Sequence, residues 1–187
     1  MVTTHKAAMR ILITGKPKAG KTTLIKKIIK EFSCVSWCGF YTEEVIENNN
    51  RVGFNIVTTD GQKVLFAHKD IASPYYIGKY RVNLEALETV GINSLTIGIK
   101  NNKPLIIDEV GKMELLSKKF QNFIKDLFST DYRELIIATI PITPLPFLEN
   151  LKKLPGQLIL NIDNLGFNTV LNKTKESIKT CYALIIK

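Results

Sequence analysis

The chain has 187 residues, 45% of them hydrophobic and 23% charged, which suits one globular domain with a substantial core. No apolar run approaches the ~20 residues that span a bilayer, and Lys6 and Arg10 bracket only Ala7, Ala8 and Met9, too little for the centre of a secretory leader; a cytoplasmic protein with no membrane partner is expected. The formal charge of +9 suits an anionic ligand, but arginine occurs only at Arg10, Arg51, Arg81 and Arg133, so nucleic acid is a possible partner and not a favoured one.

Residues 1–8 read as a loose extension, and residues 9–187 as a single domain, expected to be a monomer. From Met9 to Thr14 a short apolar, β-branched run predicts a buried strand. It leads into Gly15-Lys16-Pro17-Lys18-Ala19-Gly20-Lys21-Thr22, which fits G-x-x-x-x-G-K-[ST], the phosphate-binding loop. Thr23 follows, and then Leu24, Ile25, Ile28, Ile29 and Phe32 recur on one helical face with Lys26, Lys27 and Lys30 turned outward. A loop between a core strand and a helix start is where backbone N–H groups converge and the helix dipole favours an anion. Gly15 allows the turn out of the strand, and Gly20 lets backbone approach phosphate with no Cβ between them. Lys21 supplies a positive charge to the β- and γ-phosphates, and the Thr22 hydroxyl can hold Mg²⁺. Pro17 removes one N–H from the cradle, while Lys16 and Lys18 add positive charge.

Cys34, Cys38 and Cys181 are odd in number and follow no disulfide framework, which predicts reduced thiols. If Val35–Val45 and its flank form a strand, Cys34 and Cys38 share a face about 13 Å apart, with no second Cys or His pair to complete a zinc site. His5 and His68 stand alone. Val52, Phe54 and Ile56 alternate with polar or small residues, Asp60-Gly61 marks a hairpin turn, and Val64–Phe66 returns antiparallel. This β-rich insert is expected to cover one end of the sheet. Leu84–Glu88 begins a helix, and Asn93–Lys100 reads as a second helical piece with Asn93 as its cap.

Pro104-Leu105-Ile106-Ile107-Asp108-Glu109 is a buried strand running into two acids, the Walker B pattern. With the phosphate loop upstream, Asp108 is expected to bind Mg²⁺ through water, completing the ion site begun by Thr22, and Glu109 to orient and deprotonate the attacking water. Leu116, Phe120, Phe123, Ile124, Leu127 and Phe128 form one face of the next helix. Glu134–Ile140 is another buried strand with Thr139 near its carboxyl end. Leu158–Ile162 is a further strand, and Thr169–Leu184 a terminal helix with Val170, Ser177, Ile178 and Cys181 inward. Strands alternating with helices predict an α/β fold: a mostly parallel sheet with helices on both faces and nucleotide at the strands' carboxyl ends.

More than the two Walker stretches is shared with a known family. Gly39-Phe40-Tyr41-Thr42-Glu43-Glu44-Val45, Arg51-Val52-Gly53-Phe54, Gly78-Lys79-Tyr80, Ile107-Asp108-Glu109-Val110-Gly111-Lys112-Met113-Glu114-Leu115 and Ala138-Thr139-Ile140-Pro141 occur in that order. From Met9 to Leu160 the chain resembles the small nucleoside-triphosphatases of archaea and thermophilic bacteria, whose vertebrate members are called cancer-related nucleoside-triphosphatase. The resemblance implies a three-layer, RecA-like P-loop NTPase fold with an inserted β-hairpin. It further implies Mg²⁺-dependent hydrolysis of ATP, GTP, CTP and UTP with little base preference. Gly15 to Thr22 would bind the phosphates, and Ile107, Asp108, Glu109, Val110, Gly111 and Lys112 would line the other side of the site. Lysines in the loop depart from the commoner Glu-Pro-Gly form. With no evident arginine finger, and Lys112 or Arg81 the candidates for a substitute, slow turnover is expected. The rival expectations are a small-molecule or nucleotide kinase and an ATPase coupled to nucleic acid.

Overall fold

The computed structural model describes residues 9–182; the expected extension at 1–8 and the end of the terminal helix at Leu184 lie outside them. Among the described residues the strands form one nine-stranded sheet, which runs from edge to edge through Tyr76–Ile77 (β5), Tyr80–Val82 (β6), Lys63–His68 (β4), Asn50–Thr58 (β3), Cys38–Glu47 (β2), Leu105–Ile107 (β7), Ile136–Pro141 (β8), Arg10–Gly15 (β1) and Gln157–Asn161 (β9). Its central part is parallel: β2 (Cys38–Glu47), β7 (Leu105–Ile107), β8 (Ile136–Pro141), β1 (Arg10–Gly15) and β9 (Gln157–Asn161).

Side-chain alternation along these strands divides the apolar residues between two layers. Leu12, Leu105, Ile107, Ile136, Ala138 and Ile140 join a core closed by the helices α3 (Ile92–Lys100), α4 (Lys118–Ser129) and α5 (Pro146–Lys152). Ile11, Ile13, Ile106 and Ile137 face the other way, against α1 (Lys21–Glu31) and α7 (Phe167–Tyr182). Helices therefore cover both faces of the sheet, as in the P-loop NTPase fold.

The insert is larger than one hairpin. β3 (Asn50–Thr58) and β4 (Lys63–His68) add antiparallel to β2, and a short hairpin of β5 (Tyr76–Ile77) and β6 (Tyr80–Val82) adds to β4. All continue the same sheet. β2 is the hinge between its halves: Cys38–Phe40 pair with β7, while β3 runs beside β2 from Phe40 to Glu47. β2 and β3 thus extend past the carboxyl ends of the parallel strands and form a wall there.

The second helical piece is continuous with the first. Asn83 caps α2 (Leu84–Ala86) by accepting the Ala86 N–H at 3.1 Å, and a π-helical turn (Leu87–Gly91) carries the chain straight into α3. Asn93 is consequently an internal helical residue and not a cap. Cys34 lies in the turn after α1, outside β2, so it shares no strand face with Cys38. In α7 the buried residues are Val170, Leu171, Thr174 and Ile178; Ser177 and Cys181 are only half-buried, because the 3.6-residue period puts Leu171 and Thr174 at the centre of the apolar stripe. No described helix is long and apolar enough to cross a membrane.

Candidate active site

β1 ends at Gly15, and the chain reaches the start of α1 through a compact loop in which Ala19 N–H donates to Lys16 O at 3.1 Å. Gly20 has φ of 96° at the helix start, the left-handed region that favours glycine. A Cβ there would also press within 3.2 Å of the Phe167 ring. Lys16 N–H donates to Asp163 Oδ2 at 2.7 Å. Asp163 lies in the short helix α6 (Ile162–Leu165) that follows β9, so the far edge of the sheet fixes the loop's first turn. No motif in the sequence signals that contact.

The Lys21 side chain folds back over its own loop. Its ammonium donates to Gly15 O at 3.0 Å and Lys16 O at 3.5 Å, and lies 3.5 Å from Glu109 Oε2. Thr22 Oγ1 donates to Asp108 Oδ2 at 2.7 Å, joining two segments 86 residues apart. Thr139 Oγ1 donates to the other carboxylate oxygen of Asp108, and the Thr42 N–H makes a further bond to it. Asp108 is 1% exposed. Burial pushes its carboxyl above the usual range, against the pull of the Thr139, Thr22 and Thr42 hydrogen bonds and the Lys21 charge. Glu109 is raised as well, by burial first and to a smaller extent by Asp108, with the charge and hydrogen bond of Lys21 opposing.

Ile107 is fully buried at the end of β7, and Val110 is anchored by its N–H to Thr139 O at 2.8 Å. Gly111 is buried and Lys112 exposed in the following turn. Gly15, Pro17, Lys18, Gly20, Lys21, Thr22, Thr23, Glu109 and Lys112 all line one cleft of about 900 Å³. Ile107, Asp108, Val110 and Gly111 are buried behind that surface, whereas Lys16 is exposed and Ala19 half-buried in the loop outside the cleft lining.

The insert supplies the opposite wall, with Thr42, Glu43, Glu44, Arg51, Phe54, Phe66 and Ile77. Glu43 accepts from Lys26 at 2.5 Å and from Lys63 at 3.0 Å; these bonds hold it below the usual carboxylate range. Arg51 is clamped by Glu44 and by Tyr80, whose hydroxyl accepts from Nε at 3.1 Å. Arg81 does not face the cleft: on β6 its guanidinium donates to Ser73 O at 2.8 Å. The arginine of the site is Arg51, which a sequence reading misses because only the β2–β3 register brings it there. Thr42, Glu43, Glu44 and Arg51 all lie in the stretches shared with the family, and the β2–β3 pairing sets them on one wall.

The donor set can be tested against a divalent cation. A threonine hydroxyl and one carboxylate are hard oxygen donors, and no group of three or more His, Cys, Asp or Glu side chains able to hold a metal occurs among the described residues. That is too little for an all-protein cage and suits Mg²⁺, which keeps several waters and draws its remaining oxygens from phosphate.

Comparison with known proteins places the molecule. A family model described as NTPase matches residues 10–174. The chain belongs to the NTPase family. A nucleoside-triphosphatase THEP1 from Thermotoga maritima is 42% identical over 171 residues, covering 91% of this chain and 96% of the relative. The crystal structure of THEP1 from the hyperthermophile Aquifex aeolicus superimposes with a TM-score of 0.79 at 37% identity, over 89% of this chain and 96% of that one. The solution structure of a human cancer-related nucleoside triphosphatase gives 0.78 at 29% identity, over 92% and 98%. This member of the NTPase family is a nucleoside-triphosphatase.

Proposed function

We propose that the chain hydrolyses ATP, GTP, CTP and UTP to the diphosphate and phosphate, with Mg²⁺, with little base selectivity and slowly. The observation that carries this reading is the 2.7 Å bond from Thr22 to Asp108, which puts a phosphate loop and an acidic strand end around one point, with Glu109 beside Lys21.

The first amides of α1 have no carbonyl one helical turn before them and are free to cradle phosphate. Lys21 exchanges its loop carbonyls and Glu109 for phosphate oxygens. Thr22 and Asp108 would hold Mg²⁺, which would supply charge neutralisation to the nucleotide's phosphates. Glu109, no longer paired with Lys21, accepts the proton of the water that attacks the γ-phosphorus. The bond from that phosphorus to the β-bridging oxygen breaks and the diphosphate leaves. A carboxyl raised by burial is better matched to this proton transfer than a solvated one. Slow turnover is supported by the engagement of Arg51, whose guanidinium is already bonded to Glu44 and Tyr80.

The test is a phosphate-release assay over the four nucleotides with and without Mg²⁺. Release should occur with all four at rates within about tenfold of one another, should need the metal, and should stay below roughly 100 s⁻¹. A single accepted base, or undiminished release in chelator, would overturn the reading. One observation favours a second reading: the cleft continues beyond Glu109 to Phe54, Phe66 and Ile77, room for a hydroxyl acceptor. Phosphate release that appears only when such an acceptor is added would make the enzyme a kinase.

A further inference from the structure

The proposed mechanism leaves one buried acid unused. Glu114 is 5% exposed and lines the cleft that holds Glu109. It sits in the 3-10 turn (Glu114–Leu116) after Gly111 and folds back so that Oε2 accepts the Gly111 N–H at 3.1 Å. That is half of a capping box, a glutamate bonding the N–H three residues before it. A cap alone does not account for the residue. Glutamine would accept the same N–H, and capping glutamates ordinarily keep water around their charge. This one is enclosed with another carboxyl group. A Cβ placed on Gly111 would lie 2.5 Å from Glu109 Oε1 and 2.9 Å from Glu114 Oε2, so the two oxygens flank one small space that only glycine leaves open. Two ionised carboxylates there would repel each other strongly.

We infer that Glu114 is a positioning residue for Glu109: tied to the Gly111 N–H, its uncharged carboxyl donates a hydrogen bond that holds the Glu109 carboxylate toward the attacking water after Lys21 has moved to the phosphates. This rests on the reading of Glu109 as the base. It explains how Glu109 keeps its orientation when the nucleotide takes away its cation. Burial, Glu109 and Asp108 all raise the Glu114 carboxyl, to about 8, against hydrogen bonds from its own N–H and that of Gly111. The cations sharing its cleft are Lys21, Lys112, Lys26, Lys18 and Arg51; Lys26 and Arg51 are paired with Glu43 and Glu44. Glu114 is therefore a proton donor at neutral pH.

Steady-state ATP hydrolysis with Mg²⁺ is measured from pH 6 to 10 for the wild type, Glu114→Gln, Glu114→Leu and Glu109→Gln, with a melting temperature for each. Glu114→Leu should lose on the order of 10- to 100-fold in kcat with KM unchanged, as a base that is present but misaimed. Glu114→Gln, which can still donate, should restore most of that loss. The wild type should lose kcat as pH rises through about 8, and Glu114→Gln should lack that limb. An undiminished kcat in Glu114→Leu, or the same alkaline limb in Glu114→Gln, overturns the inference. If Glu114→Leu does not fold, the pH profile of Glu114→Gln decides. If Glu109→Gln turns over normally, the base assignment itself has failed; if Glu109→Gln is inactive while Glu114→Leu is normal, only the role of Glu114 has.

Discussion

The two halves of the sheet are built on different terms. In the parallel half every residue of β1 and β7 is buried, and the strands end at the candidate site: Gly15 opens the loop into α1, and Asp108, which accepts from Thr22, follows Ile107. In the antiparallel half β2 is buried only near its start and becomes exposed toward Glu47. Its charges are paired on the cleft wall, Glu43 with Lys26 and Lys63, and Glu44 with Arg51. The lesson is a division of labour. Under the proposed hydrolysis the parallel half would perform the chemistry through backbone amides and buried acids, while the antiparallel half shapes the space in front of it.

Substitutions can break or sharpen that division. The largest effect belongs to Lys21→Ala: calorimetric nucleotide binding should be lost and turnover should fall by about 10²-fold or more, as for removal of a preorganised charge from a transition state. Next comes Glu109→Gln, which should keep Mg-nucleotide binding while turnover drops at least about tenfold. Gly98→Ala in α3 probes the seam between the halves. Its Cβ would lie 2.4 Å from Leu105 Cδ2 and 2.6 Å from Cys38 Cβ, so a denaturant titration should show a loss of about 1–3 kcal/mol from overpacking.

A pH series gives a smaller effect with a definite sign. The Glu114 carboxyl is raised from 4.5 to about 8 on folding, so between those values the folded protein holds a proton that the unfolded chain has released. Stability from this group is full below about 4.5 and is lost as pH rises through about 8. The melting temperature should accordingly fall more from pH 5 to 9 in the wild type than in Glu114→Gln. The smallest effect is expected for Lys63→Ala on the antiparallel wall. The Lys63 side chain is 53% exposed at its ion pair, so its removal should change stability by less than about 1 kcal/mol. A cost there comparable to that of Lys21→Ala in turnover would erase the distinction between the halves.

Much of the parallel half was legible because its signals are local. An apolar run fixed by neighbours gave β1, β7 and β8 within a residue or two, and the spacing of Gly15, Gly20 and Lys21 named the phosphate loop. The antiparallel half was harder. Val64 and Phe66 marked a returning strand, but nothing local told that β3, β4, β5 and β6 would extend one sheet. Arg51 and Arg81 look alike in the sequence. Pairing register sends the first into the cleft, clamped by Tyr80, and the second to Ser73. Asp163 and Glu114 were missed for a related reason, since each acts on a backbone N–H that no side-chain pattern advertises.

The order of residues by itself determined the strand-loop-helix of the phosphate-loop pattern, the acid-ended strand and the apolar periodicities of the layers, because each depends on spacings of a few residues. Only the tertiary structure decided that Thr22 meets Asp108, that Lys21 rests on Glu109, and which arginine faces the cleft. Those contacts cross many tens of residues. They are set by strand order and by the packing of helices on both faces, quantities that no short window of sequence contains.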